Sequence, residues 1–171
     1  MNPPLVVVGG VSGSGKSALG EALAGRLGLL YADGDDFHSP SNVAKMRAGE
    51  PLSDGDREPW LDAIGRWLAA HAASGGVISC SALGRDHRSR LLSHAAGTVF
   101  CQLRCAEEIL AERLRERSDH FMPPSLLASQ LAALEPLAPA EPGVVLDCSK
   151  PLDDLVADFM GWLPSAGPPP R

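Results

Sequence analysis

The chain has 171 residues, 44% of them hydrophobic, and a formal charge of -6 at neutral pH. That length suits one domain with a substantial buried core, and the composition excludes a disordered chain. The acidic balance argues against a nucleic-acid partner, and no apolar run reads as a signal peptide or a membrane span, so a cytoplasmic protein is expected.

Leu5-Val6-Val7-Val8 is a short β-branched run suited to a buried parallel strand. It leads into Gly10-Val11-Ser12-Gly13-Ser14-Gly15-Lys16-Ser17, a complete G-x-x-x-x-G-K-[ST] phosphate loop. Gly13 and Gly15 let backbone N–H groups converge on phosphates without a Cβ in the way. Lys16 is placed to reach the β- and γ-phosphates, and Ser17 offers a hydroxyl to Mg²⁺. Ala18–Leu27 follows with helical spacing and turns its positive end toward the same phosphates. The motif in this context predicts a nucleoside triphosphate site.

Leu29–Ala32 reads as a second strand ending in the acidic turn Asp33-Gly34-Asp35-Asp36. A polar stretch from His38 to Asp56 holds one short helical candidate, Asn42–Arg47, among Pro and Gly punctuation. Trp60, Ile64, Trp67, Leu68 and His71 mark one face of a long helix, stopped by Ser74-Gly75-Gly76. Val77–Cys80 and Thr98–Leu103 read as strands on either side of a helix over Arg85–His94. Ala106–Arg117 is an amphipathic helix, Ser125–Leu134 another, Val144–Asp147 a fifth strand and Leu152–Leu163 a final helix. Residues 1–163 are expected to form one domain, with a small lid at about 117–124 and a flexible tail over 164–171. Strands alternating with helices predict an α/β, three-layer P-loop fold with a five-stranded parallel sheet covered on both faces.

In such a sheet, ligands bind beyond the carboxyl ends of the strands. Asp33-x-Asp35 lies at one such end, where phosphoryl transfer to a hydroxyl needs one carboxylate for the proton and another to support the metal. Asp35 is the candidate catalytic carboxylate, and Asp33 the metal-supporting one, because Val77–Ser81 carries no acid of its own. Arg113 and Arg117 share one helix face before the lid and are candidates to stabilise the transferring phosphate, although Glu112 and Glu116 fit an ordinary solvated face equally well. The cysteines, Cys80, Cys101, Cys105 and Cys148, are expected to be reduced, and their spacing matches no zinc site.

Beyond the phosphate loop, Asp33-Gly34-Asp35-x-x-His38, the block from Lys45-Met46 to Pro59-Trp60-Leu61, Cys80-Ser81-Ala82-Leu83, and His120-Phe121-Met122-Pro123 through Ser129-Gln130 resemble gluconokinases of the small P-loop type. The resemblance runs from the first strand to the last. It implies ATP-dependent phosphorylation of D-gluconate at its 6-hydroxyl, a nucleoside-monophosphate-kinase-like fold and a homodimer. A sugar acid needs cations and hydrogen-bonding groups, so Arg57, Lys45, His38, Arg85, Gln130 and His120 are the substrate-binding candidates. Which of them holds the carboxylate is left open.

The resemblance breaks at Gly84, where the family carries lysine; Arg85 and Arg88 are the nearest cations able to replace it. Two other readings stand beside the kinase of gluconate. One is a shikimate-kinase-like enzyme, which also pairs a phosphate loop with Asp-x-Asp. The other is an ATP-binding module without kinase activity.

Overall fold

Leu5–Gly9 forms β1, the central strand of a five-stranded parallel sheet, in a computed structural model that describes residues 2–116 and 125–164. The other strands are β2 (Tyr31–Asp33), β3 (Gly76–Ser79), β4 (Thr98–Arg104) and β5 (Gly143–Asp147), in the order β2-β3-β1-β4-β5. Helices α1 (Lys16–Leu27), α2 (Pro40–Arg47), α3 (Asp54–Ala70), α4 (Arg85–His94), α5 (Glu107–Glu116), α6 (Ser125–Ala133) and α7 (Leu152–Trp162) connect them.

Alternation along β1 sends side chains to both faces. Leu5 and Val7 pack with Trp60, Ile64, Leu68 and Leu91 from α3 and α4. Val6 and Val8 pack with Leu19, Leu23, Leu155 and Phe159 from α1 and α7. A smaller cluster of Val11, Leu83, Leu110, Leu114 and Leu127 supports the phosphate loop from below. Strand order reverses around β1, so the segments after β1, β2 and β3 open onto one crevice.

The expected elements are all present, with shifted ends. Strand β2 begins later than Leu29 because α1 closes on Gly28, in the left-handed region at φ 67, and the Leu29 N–H donates to the Ala24 carbonyl at 2.9 Å. Helix α3 starts before Trp60, despite Gly55 and Pro59. Ser53 Oγ accepts from the Asp56 N–H at 3.1 Å while Asp56 Oδ2 accepts from the Ser53 N–H at 2.9 Å, a reciprocal cap that starts the helix at Asp54.

The expectation of four reduced cysteines is corrected. Cys105 follows β4 and Cys148 follows the adjacent β5, so the two leave the sheet side by side with Cα atoms 5.3 Å apart and are bonded as a disulfide. Cys80 and Cys101 are free and buried, and burial pushes both thiols up to about 12. The expected lid and nearly all of the expected tail, and with the lid Arg117 and His120, lie outside the described residues.

Candidate active site

The loop after β1 is held open by its glycines. Gly13 sits at φ 84 against Leu114 of α5, and Gly15 at φ 93 caps α1, conformations that L side chains adopt only under strain. The Gly10 N–H donates to the Ser81 carbonyl at 3.1 Å, tying the start of the loop to the end of β3. Lys16 begins α1, and its Nζ donates across the loop to the Val11 carbonyl at 3.1 Å.

Asp33 ends β2 and caps a single 3-10 turn over Gly34–Phe37, its Oδ1 accepting from the Asp35 N–H at 2.9 Å. A Cβ at Gly34 would collide with the Ser79 carbonyl, so only glycine brings this turn so close to β3. The turn is pinned from the other side by Trp60 of α3, whose Nε1–H donates to the Gly34 carbonyl at 2.8 Å. Trp60 also stacks under His38, with ring centroids 4.2 Å apart and 11° between the planes.

One cleft gathers most of the expected residues. Ser12, Gly13, Gly15, Lys16 and Ser17 line it from the phosphate loop, Asp33, Asp35 and His38 from the acidic turn, and Arg57 from α3. Gln130 reaches it from α6, where its Oε1 accepts from the Ser12 N–H at 2.6 Å. That contact attaches α6 directly to the phosphate loop. Burial, and secondarily the Arg57 charge, lowers the His38 pKa to about 4, so the ring is neutral at physiological pH.

Several expected residues sit elsewhere. Gly10, Val11 and Ser14 shape the loop without lining the cleft; Val11 and Ser14 are buried beneath it. Lys45 turns away from the cleft to Asp56, 2.9 Å from its carboxylate, joining α2 to the start of α3. Arg85 is exposed beside Glu135, with its Nε 3.9 Å from that carboxylate. Arg88 does not replace the missing lysine. It is buried, paired with Glu141 at 2.7 Å, and donates to the Ala82 and Leu83 carbonyls at 3.0 and 3.2 Å. Gly84 itself caps α4 beside a second hollow that Arg57 shares with Asp54, Glu58, His87 and Glu135. Arg57 is therefore the cation on the border between the cleft and the space next to Gly84.

Arg113 lies on the far side of the phosphate loop. Its guanidinium donates to the Cys148 carbonyl at 3.0 Å and to the Gly13 and Ser14 carbonyls at 3.4 Å. Three backbone acceptors hold it against the loop's outer wall, facing a third hollow lined by Ala18, Cys148, Lys150, Leu152 and Leu155. It does not line the cleft that contains Lys16 and Asp35.

The sequence did not point to Trp60 or Asn42 as site residues. Trp60 fitted the buried face of α3, and nothing in that periodicity shows that its ring nitrogen reaches the acidic turn. Asn42, buried in α2, contacts His38 four residues before it and the Asp56 carbonyl, which becomes its neighbour only once α2 packs on α3.

A carboxylate turn and a cation opposite a phosphate loop can hold a hydroxylated acid while its hydroxyl receives a phosphoryl group. Among the described residues no group of three His, Cys, Asp or Glu side chains could hold a metal. The Ser17 hydroxyl and the Asp33 carboxylate fit Mg²⁺, which takes few protein ligands beside phosphates and water.

Comparison with known proteins agrees with this geometry. Residues 6–122 match the family model described as an AAA domain. The gluconokinase of Gluconobacter oxydans (strain 621H) is 41% identical over 162 residues, covering 94% of this chain and 91% of that protein. The crystal structure of a gluconokinase from Sinorhizobium meliloti 1021 superposes with a TM-score of 0.85 at 45% identity, covering 93% of this chain and 90% of that one. Shikimate kinase from Bacteroides thetaiotaomicron, at 19% identity and a TM-score of 0.66, shares the fold alone.

Proposed function

The chain belongs to the gluconokinase family, and from that premise we propose that its cleft transfers the γ-phosphoryl group of ATP to the 6-hydroxyl of D-gluconate, giving 6-phospho-D-gluconate and ADP. The observation that carries the proposal is the meeting of Lys16, Asp35 and Arg57 in one cleft at the carboxyl end of the sheet. Asp35 orients the 6-hydroxyl and accepts its proton as the oxygen attacks phosphorus. Lys16 and the loop's N–H groups neutralise charge on the phosphates. Arg57 grips the gluconate carboxylate, since its forked donors match two carboxylate oxygens.

Ser17 and Asp33 are the residues that would hold Mg²⁺, which would supply charge neutralisation of the phosphates. Arg113 is reassigned from the phosphate to the nucleotide base. The hollow it walls combines a planar guanidinium with apolar Leu152 and Leu155, which suits a flat heteroaromatic ring. The reading extends to a homodimer, as the family resemblance implies, and to the cytoplasmic location expected from the chain's composition.

The test is ADP release by the purified chain with Mg·ATP and a panel of gluconate, other sugar acids, polyols and shikimate. Release that depends on gluconate is expected, and none at millimolar gluconate overturns the proposal. Thermal stabilisation by ATP alone, with no turnover of any acceptor, would make the chain an ATP-binding module instead.

A further inference from the structure

Asn42 is buried, and its Nδ2 has two neighbours: the Asp56 carbonyl oxygen at 2.9 Å and His38 Nδ1 at 3.3 Å. A carbonyl oxygen only accepts, so the first contact decides which end of the amide is the nitrogen. The same NH₂ group then faces Nδ1, which must accept in turn. The proton of the neutral ring therefore lies on Nε2. The ring plane is fixed independently, by stacking on a Trp60 that is itself tied to the Gly34 carbonyl. Both constraints come from the chain itself, so the ring is oriented before any acceptor arrives.

We infer that Asn42 is a positioning residue: it holds His38 as an Nε2–H donor that recognises an oxygen of the sugar acid and takes no part in removing a proton. The identity of that acid rests on the function proposed above. Proton acceptance then falls to Asp35 alone.

The charged groups that line the cleft with His38 are Arg57 from α3, Asp33 and Asp35 from β2 and its turn, Lys16 from α1, and Glu50 from the segment between α2 and α3; β3, α2 and α6 line it with uncharged side chains. Burial first, and Arg57 second, hold the ring near pKa 4. Protonation would also put an Nδ1–H against the Asn42 donor. Because the folded ring binds its proton less tightly than an unfolded one, the contribution to stability is complete above about pH 6.5 and is lost as pH falls toward 4.

Long-range ¹H–¹⁵N NMR of the unliganded chain reads the tautomer directly, with His38→Gln identifying the ring's signals. The expected spectrum is the Nε2–H form, unchanged from pH 8 to about 5.5. In Asn42→Asp a carboxylate oxygen faces Nδ1, so the ring should take its proton there and titrate nearer neutrality. The KM for gluconate should then rise roughly tenfold and become pH-dependent, while kcat and the KM for ATP change less than about twofold. Asn42→Ala should give mixed tautomers and an intermediate KM.

An Nδ1–H ring in the unaltered chain, or one titrating near its ordinary value, overturns the inference. So do variants that only melt earlier while tautomer and KM stay unchanged. The tautomer is measured without substrate, so failure to phosphorylate gluconate would count against the proposed function and not against this assignment.

Discussion

Asp35 and Arg57 face the same cleft from different elements, so replacing each should disturb a different kinetic constant. Asp35→Ala removes the proton acceptor and leaves the phosphate loop intact, so kcat should fall by about 10²-fold or more with little change in the KM for ATP. Arg57→Ala removes a charged hydrogen bond to the acceptor, so the KM for gluconate should rise roughly tenfold or more. Steady-state kinetics in both substrates checks the pair; a kcat unchanged in Asp35→Ala would remove that residue from the reaction. The place of Asp35 at the cleft was legible because a carboxylate turn at a strand end is a local pattern, and that of Arg57 because the motif block from Lys45 to Leu61 includes it. The ion pairs of Lys45 and Arg85 were not legible, because their partners, Asp56 and Glu135, are brought to them only by packing between elements.

Helix α4 shows how an element can be read correctly and its side chains wrongly. Its bounds, Arg85–His94, agree with the expected helix, yet Arg88 points into the protein instead of toward substrate. There it holds the loop after β3 through the Ala82 and Leu83 carbonyls and meets Glu141 ahead of β5. Ala82 sits at φ 41, a left-handed conformation that costs a non-glycine residue on the order of 1–2 kcal/mol. The guanidinium compensates by binding that residue's carbonyl. Arg88→Met should therefore lower the unfolding free energy by about 3–5 kcal/mol, because it leaves Glu141 and two carbonyls without their cation. The cleft should also suffer, since the Ser81 carbonyl next to Ala82 anchors Gly10. A denaturation midpoint equal to that of the unaltered chain would show that the pair adds nothing. No periodicity reveals such a role, because a helix face shows where burial is expected and not which charge is buried with its partner.

At the scale of the molecule, the order of strands decides what the chain's spacing cannot. Alternation predicted five parallel strands but not that β5 lies beside β4, and that adjacency brings Cys105 to Cys148 across 43 residues. The bridge joins the ends of two strands behind the phosphate loop, and Arg113 binds the Cys148 carbonyl from α5. Closing a loop of that length restricts the unfolded chain by about 4 kcal/mol in the chain-entropy picture. Reduction should lower the unfolding free energy by about 2–4 kcal/mol, read by denaturation with and without reductant. A thiol count tests the pairing itself. In denaturant, two thiols should react without reductant, Cys80 and Cys101, and four after reduction. In the folded protein neither of those two should react, because both are buried and hold their protons to about pH 12. Four reactive thiols in denaturant before any reduction would mean that Cys105 and Cys148 are neighbours without a bond. In that case the outer wall of the phosphate loop would depend on the carbonyl contacts of Arg113.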